Sequence, residues 1–208
     1  MPIGPSVRKM FGPYERTISE IYRSIFIDLN SLVKQIRQWT SASNILELGC
    51  GEGAIIERVV KEFPSASVTG IDIVPGVGRM FNGDPSRVVF KQQAINGFAA
   101  ENPGVFDLLL VCDIMHHIPW EMHKDILLDA KKTLKPGSYL VLKDWARDFS
   151  LIHFLCYFSD RFITGDRIRY KSSDELRMLI RDVFGPDCIK AEAHIHPWKN
   201  NIAFLVQI

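Results

Sequence analysis

The segment Glu47-Leu48-Gly49-Cys50-Gly51-Glu52-Gly53 has residue types and spacing suited to ligand chemistry. Glycines at alternate positions let the backbone turn sharply and admit a ligand where a Cβ would otherwise stand. The apolar run 45–48 before it reads as a strand. Stretch 52–63 after it carries Ile55, Ile56, Val59 and Val60 at helical spacing and reads as a helix. A helix opening on such a loop offers unpaired N–H groups to a polar ligand. Twenty-three residues beyond Gly49, Asp72 stands near the end of the β-branched stretch 67–73, where a carboxylate can accept both hydroxyls of a ribose. Strand, loop, helix and acid together predict a nucleotide-like ligand.

Two ligand classes meet that description. Gly49-x-Gly51-x-x-Ala54 satisfies the pattern of a dinucleotide site, which would make the chain a nicotinamide-dependent dehydrogenase. The acids argue otherwise. Glu47 lies two residues before the first glycine and Glu52 lies inside the loop; both face a pyrophosphate unfavourably but suit a ligand with an ammonium and a sulfonium.

Further reactive types cluster later in the chain. His116 and His117 follow the apolar stretch 106–112, at the end of a strand where such sheets gather ligands. Either is a candidate general base, and either could pack beneath the ligand instead. The stretch 145–170 is rich in aromatic residues, and Phe154, Tyr157, Phe158 and Phe162 could close over an acceptor as an apolar lid. A core helix pair or a dimer contact would use them equally well. Within it, His153 and Tyr157 join His117 as candidates to deprotonate an acceptor. His194 and His196 share one strand face but lack a third partner, so a structural role is expected and no metal site is assigned.

The elements that must position these groups alternate. A helical face runs over 16–39, through Ile18, Ile21, Tyr22, Ile25, Leu29, Leu32, Val33 and Ile36. Strands follow at 45–48, 67–73, 87–91, 106–112 and 138–143, with helices at 52–63, 95–101 and 121–134. Ser172 with Glu175 predicts a capped helix reaching Phe184. Strands alternating with helices predict a parallel sheet covered on both faces. The final strands, 188–195 and 202–208, have only Pro197-Trp198-Lys199-Asn200-Asn201 between them and predict an antiparallel hairpin at one edge.

At this point the chain resembles the class I S-adenosylmethionine-dependent methyltransferases, over about 44–208. The carriers are ILELGCGEG, VTGIDI, FDLLLVCDIMHHIP and LKPGSYLVLKD. The resemblance implies a Rossmann-like α/β fold with a seven-stranded sheet, order 3-2-1-4-5-7-6, and strand 7 antiparallel. It implies S-adenosyl-L-methionine as cofactor, with Glu47, Gly49, Cys50, Gly51 and Gly53 beside the methionine end. Asp72 would hold the ribose and Ile73 would lie beside the adenine. Gln93-Ala94 stands where the family often has Asp-Ala, so the contact to the adenine amino group falls to an amide. Cys112 and Asp113 fall where the backbone runs beside the methionine moiety. Residues 1–43 would supply a segment and helix over the cofactor side, and 145–171 an acceptor-side lid insertion.

Composition bounds the partners. Of 208 residues, 25 are basic and 24 acidic, so no basic excess speaks for a nucleic acid. Cys50, Cys112, Cys156 and Cys188 are scattered without a C-x-x-C pair, which predicts a reducing, cytoplasmic setting. No stretch has the length and apolarity of a membrane span. The expected protein is a monomeric or homodimeric enzyme that methylates a small apolar or aromatic acceptor on oxygen, nitrogen or carbon. A methyltransferase acting on protein or tRNA, or a silent cofactor-binding subunit, is the alternative.

Overall fold

The computed structural model describes residues 12–159, 161 and 168–208; Phe162, part of the expected lid, lies outside the described residues. Strands β1 (Asn44–Leu48), β2 (Ser67–Asp72), β3 (Val88–Gln92), β4 (Phe106–Cys112), β5 (Leu134–Trp145), β6 (Ile189–His194) and β7 (Asn201–Gln207) form one sheet in the order β3-β2-β1-β4-β5-β7-β6. Strand β7 runs antiparallel to both of its neighbours, and the other pairs are parallel. This is the expected order.

Helices α1 (Glu15–Phe26), α2 (Leu29–Trp39), α3 (Ala54–Glu62), α4 (Ile95–Glu101), α5 (His123–Lys132), α6 (Leu151–Phe158) and α7 (Ser173–Phe184) surround the sheet, with short 3₁₀ turns between elements, one of them at Met115–His117. The period-2 alternation of the strands splits the core into two layers. Ile45, Val68, Leu108, Leu110 and Val141 face α2 and α3. Leu46, Ile71, Leu109, Val111 and Leu142 face α4, α5 and α7. Helix α7 begins with the expected capping box between Ser172 and Glu175.

Most element ends fall within a residue or two of the sequence reading, and two larger differences matter to the site. The periodicity over 16–39 predicts one helix, but the chain makes two. Asp28 is the cause: its carboxylate accepts the Asn30 and Ser31 N–H groups as the N-cap of α2, and its own N–H donates to the His196 carbonyl at 2.8 Å. Helix α2 then buries Leu29, Leu32, Val33 and Ile36, whereas α1 buries only Ser19. Charge fixes α1 in place, through Arg16 to Glu57, Glu20 to Arg58 and Glu15 to Arg79.

The second difference lies in β5. It starts at Leu134, ahead of the Pro136-Gly137 turn signal, and continues past the predicted end at Lys143. Pairing with β7 carries it on: Asp144 lies opposite Ile202 and Trp145 opposite Asn201. Two further side chains are thereby fixed at the carboxyl edge of the sheet.

Candidate active site

The loop after β1 takes its shape from two glycines. Gly49 has φ +75°, and a Cβ there would stand 2.4 Å from Ile114 Cγ2, so the β1 and β4 ends can approach only without a side chain. Gly51 has φ +50°, and a Cβ there would meet nothing within 4 Å, which leaves room for a ligand. The Gly51 N–H donates to Asp72 Oδ2 at 2.8 Å, and Asp72 Oδ1 accepts the Val74 N–H at 3.1 Å. Asp72 therefore braces the loop from the end of β2.

Glu47, on β1 beneath this loop, is buried, and its Oε2 has no hydrogen-bond partner. Burial first, and the Asp72 charge second, push its carboxyl up to about 8, against the Ile56 N–H, which favours the ionised form. A buried acid in this condition lacks a cation. The Cys50 and Cys112 thiols are also pushed up, by burial first and the Glu47 charge next. Both stay protonated near neutral pH, and neither suits a nucleophile's role.

Across the strand-order switch, β4 and β5 end in a lysine–aspartate ion pair and a histidine–aspartate pair. Asp113 adopts φ +54°, and its N–H continues the ladder to the Lys143 carbonyl at 2.9 Å. Lys143 Nζ, on a side chain 1% exposed, donates to both Asp113 oxygens, at 2.6 and 2.7 Å. Beside it, His116 Nδ1 lies 2.5 Å from Asp144 Oδ1, which also accepts the Trp145 N–H at 2.7 Å. Burial would raise the Asp144 carboxyl, but the His116 and Lys143 charges and the Trp145 N–H outweigh it and hold it below its usual range. The ionised carboxylate accepts Nδ1–H, so a neutral His116 ring has its lone pair on Nε2. The His116 ring stacks on Tyr170 at 4.9 Å between centroids. His117, 4.1 Å from it, is exposed.

Asp113, His116 and Asp144 also offer three ligand atoms within 4.8 Å of one another, the grouping a divalent ion could use. Lys143 already compensates Asp113 there.

One cavity of about 390 Å³ joins these groups. The loop side gives Glu47, Gly49, Cys50, Gly51 and Glu52; the strand ends give Cys112, Asp113, Lys143, Trp145 and Asn201. Helix α1 adds Ser19, Tyr22, Arg23 and Phe26, and His116, His117, Cys156 and Tyr170 close the far wall.

Several expected residues lie outside that lining. Gly53 starts α3, Asp72 braces the loop, and Ile73 is 71% exposed. The Gln93 amide donates to Glu101 at 3.0 Å, and Ala94 is exposed just before α4. Glu52, read as a partner for a cationic ligand, is held by Arg79, which also binds Glu15; a guanidinium from across the loop takes the carboxylate first. His153 accepts the Trp145 indole N–H at 3.0 Å, away from the cavity, and burial lowers its basicity. Phe154, Tyr157 and Phe158 are exposed, while Cys156 is the α6 residue that lines the cavity.

A family model described as a methyltransferase domain matches residues 22–183. The chain belongs to that family. Its cofactor is S-adenosylmethionine. The ubiquinone biosynthesis O-methyltransferase of Xanthomonas campestris pv. campestris (strain B100) is 32% identical over 104 residues, covering 48% of this chain and 42% of that protein. That of Xylella fastidiosa (strain M23) is 32% identical over 105 residues, with 48% and 41% covered. This methyltransferase chain thus matches less than half the length of those relatives. The pyocyanin biosynthetic protein PhzM shares the fold with a TM-score of 0.74 at 14% identity, over 98% of this chain and 61% of that one. The 1,6-didemethyltoxoflavin-N1-methyltransferase of Burkholderia thailandensis, solved with its substrate and S-adenosylhomocysteine, gives 0.66 at 15% identity, over 97% and 86%. No helix among the described residues is long and apolar enough to cross a membrane.

Sequence reasoning did not name Lys143, Asp144, Asn201 or Ser19 as site residues. A usable signal existed for the first two: Lys143-Asp144 puts adjacent charges at the carboxyl end of an apolar strand, on the edge where ligands bind. No local pattern marks Ser19 or Asn201.

Proposed function

We propose that this methyltransferase transfers the methyl group of S-adenosylmethionine to a hydroxyl oxygen of a small, largely apolar or aromatic acceptor. The observation that carries the reading is His116, on the wall of the cavity that also holds Glu47, backed by the buried Asp144 carboxylate. When bound, the cofactor supplies a methyl group already activated on sulfur. The residues fit it. Glu47 lacks a cation, which the methionine ammonium provides; Gly51 leaves space above the loop; Asp72 stands at the ribose position, with Ile73, Gln93 and Ala94 along the adenine side. Gly49, Cys50, Gly53, Cys112 and Asp113 complete the methionine side. His116 Nε2 takes the hydroxyl proton as the acceptor oxygen bonds to the methyl carbon, and Asp144 holds the imidazole in the required tautomer and stabilises the imidazolium. With the cofactor bound, its sulfur would keep the electron pair of the C–S bond as the methyl group is transferred. Trp145, Tyr170 and Cys156 keep water from the acceptor. A cavity of this size favours a small molecule over a macromolecular acceptor, and the likeness to ubiquinone biosynthesis O-methyltransferases supports oxygen as the atom modified.

The test is formation of S-adenosylhomocysteine from S-adenosylmethionine with a panel of phenols. Turnover dependent on a phenol supports the reading, and methylation of amines or proteins alone would overturn it. Asp72→Ala is expected to weaken S-adenosylhomocysteine binding by about 10- to 100-fold in calorimetry, because a charged acceptor for the ribose and for the Gly51 N–H is lost together. Unchanged affinity would remove Asp72 from the cofactor site.

Turnover is also expected to survive EDTA. The Lys143 ammonium occupies both oxygens of Asp113, so the Asp113–His116–Asp144 group is compensated without an ion. Loss on chelation, restored by a divalent cation, would assign that group to a metal instead.

A further inference from the structure

Helix α6 carries no Asp, Glu, Lys or Arg between Leu151 and Phe158 and is apolar on nearly every side. A helix of that composition needs cover all round. One face has it: Cys156 is buried, and Ile152 packs with it among Trp145, Ile168 and Tyr170. The other faces solvent. Leu151 is 76% exposed, Phe154 63% and Leu155 49%. Their i, i+3, i+4 spacing puts them on one stripe, which the half-exposed Phe158 continues at i+7. Phe149, just ahead of the helix, is fully exposed. The Tyr22 and Ser159 hydroxyls bond to each other and join α1 to the end of α6, and Ile21 and Ile25, within a turn of Tyr22, are exposed as well.

The size of this surface is that of an interface. The open side chains of 149–158 amount to roughly 700 Å², at about 200 Å² for one fully open Phe, Tyr or Leu. The largest apolar patch of an ordinary monomer is about 300–600 Å², and one side of a standard protein interface is about 800 Å². The chemistry narrows the occupant. The stripe is convex, so it is no pocket for a small molecule. A helix that lies on lipid carries Lys or Arg along its polar face; α6 has neither, and the Arg147 guanidinium beside it is turned to Glu175 at 3.2 Å. Arg161, beyond its end, adds one charge where an anionic lipid surface is met by a cluster. An uncharged stripe at helical spacing is matched by another such stripe, ridges into grooves. A second copy of this chain brings the identical stripe, and a two-fold axis lets each bury the other.

We propose that the α6 stripe seats a second copy of the chain, in a two-fold dimer whose axis passes near Phe154 and Leu155. The aromatic side chains expected to close over the acceptor cover the partner instead. Cys156, on the opposite face of α6, lines the cavity, so the pairing holds that wall of the site from behind. The dimer is independent of which acceptor is methylated.

The experiment is sedimentation velocity on the full chain, from nanomolar to high micromolar concentration. The mass of two chains is expected at micromolar concentration. Leu151→Glu and Phe154→Glu should each weaken the dimer by about 30-fold or more, since each change is present twice, with a thermal melt to show that the variants fold. Met178→Glu, on an exposed position of α7, should leave the dimer as it is. Cross-linking reads the same contact without relying on a disruptive variant. The four native cysteines are buried, so mild oxidation of Phe154→Cys or Leu155→Cys should give a covalent dimer, and that of Met178→Cys should not. A chain that stays monomeric at every concentration, a dimer that persists in both folded glutamate variants, or failure of both cysteine variants to cross-link would overturn the proposal. A monomer that floats with phosphatidylcholine–phosphatidylglycerol vesicles, and ceases to on Leu151→Glu, would also overturn it and assign the stripe to lipid.

Discussion

His116→Ala should lower kcat by about 10²- to 10⁴-fold, the usual value of a positioned general base, with S-adenosylhomocysteine affinity within about twofold of the parent. The residue is chosen over His117, His153 and Tyr157 by one contact: its Nδ1 meets the buried Asp144 carboxylate. Asp144→Asn should cost nearly as much, although its shape is unchanged. An asparagine can offer N–H to Nδ1, which moves the imidazole proton to Nε2 and removes the base. Removing one partner leaves the other buried without its hydrogen bond, which also destabilises the fold, so both variants need a thermal melt beside the kinetics. A readout specific to proton transfer is the dependence on acceptor acidity. Phenols acidic enough to arrive ionised need no base, so the His116→Ala deficit should shrink along a series of increasingly acidic phenols. A deficit that stays constant across the series would make His116 a packing residue.

The second large effect concerns Glu47 and pH. In the unliganded protein its carboxyl titrates near 8. An ammonium placed beside it favours the ionised form, so binding at lower pH must expel the proton. Affinity for S-adenosylhomocysteine should therefore rise by up to about tenfold per pH unit toward pH 8 and level off above it. Calorimetry at pH 7 in two buffers of different ionisation enthalpy should count close to one proton released. Glu47→Gln should bind more weakly at pH 8 and release none. The same group shapes stability with the opposite slope. Its folded value lies above that of the unfolded chain, so the folded state is favoured while Glu47 is protonated. That advantage is lost as pH rises from the unfolded value to about 8, at roughly 1.4 kcal/mol per pH unit. The unliganded protein should melt progressively lower across that window, more steeply than Glu47→Gln. Equal proton release by both proteins would detach Glu47 from the cofactor.

The sequence alone determined the alternation of strands and helices, because apolar periodicity and turn chemistry are local. It likewise marked the glycine loop. Gly49 and Gly51 stand where positive φ, a close approach to Ile114 and open space are needed, and only glycine meets such needs without strain. Asp72 was legible for a similar reason, since its place at the end of β2 follows from spacing. The antiparallel hairpin was legible from the short link between β6 and β7.

Tertiary structure decided the rest. Two adjacent histidines are equivalent as letters; the end of β5, 28 residues on, gives a carboxylate to His116 and leaves His117 exposed. Glu52 looked free to meet a cation until Arg79, 27 residues away, took it. The apolar letters of 151–158 did not say which side of α6 would meet the cavity, and it is Cys156 rather than Phe154 or Phe158. Asn201 is a loop letter by pattern, yet pairing with Trp145 and a bond from its amide to the Phe26 carbonyl, 175 residues back, tie the start of β7 to β5 and α1. Periodicity records which face of an element is apolar. Which polar groups meet, and which remain unpaired for a ligand, depends on strand order and on how far each strand extends.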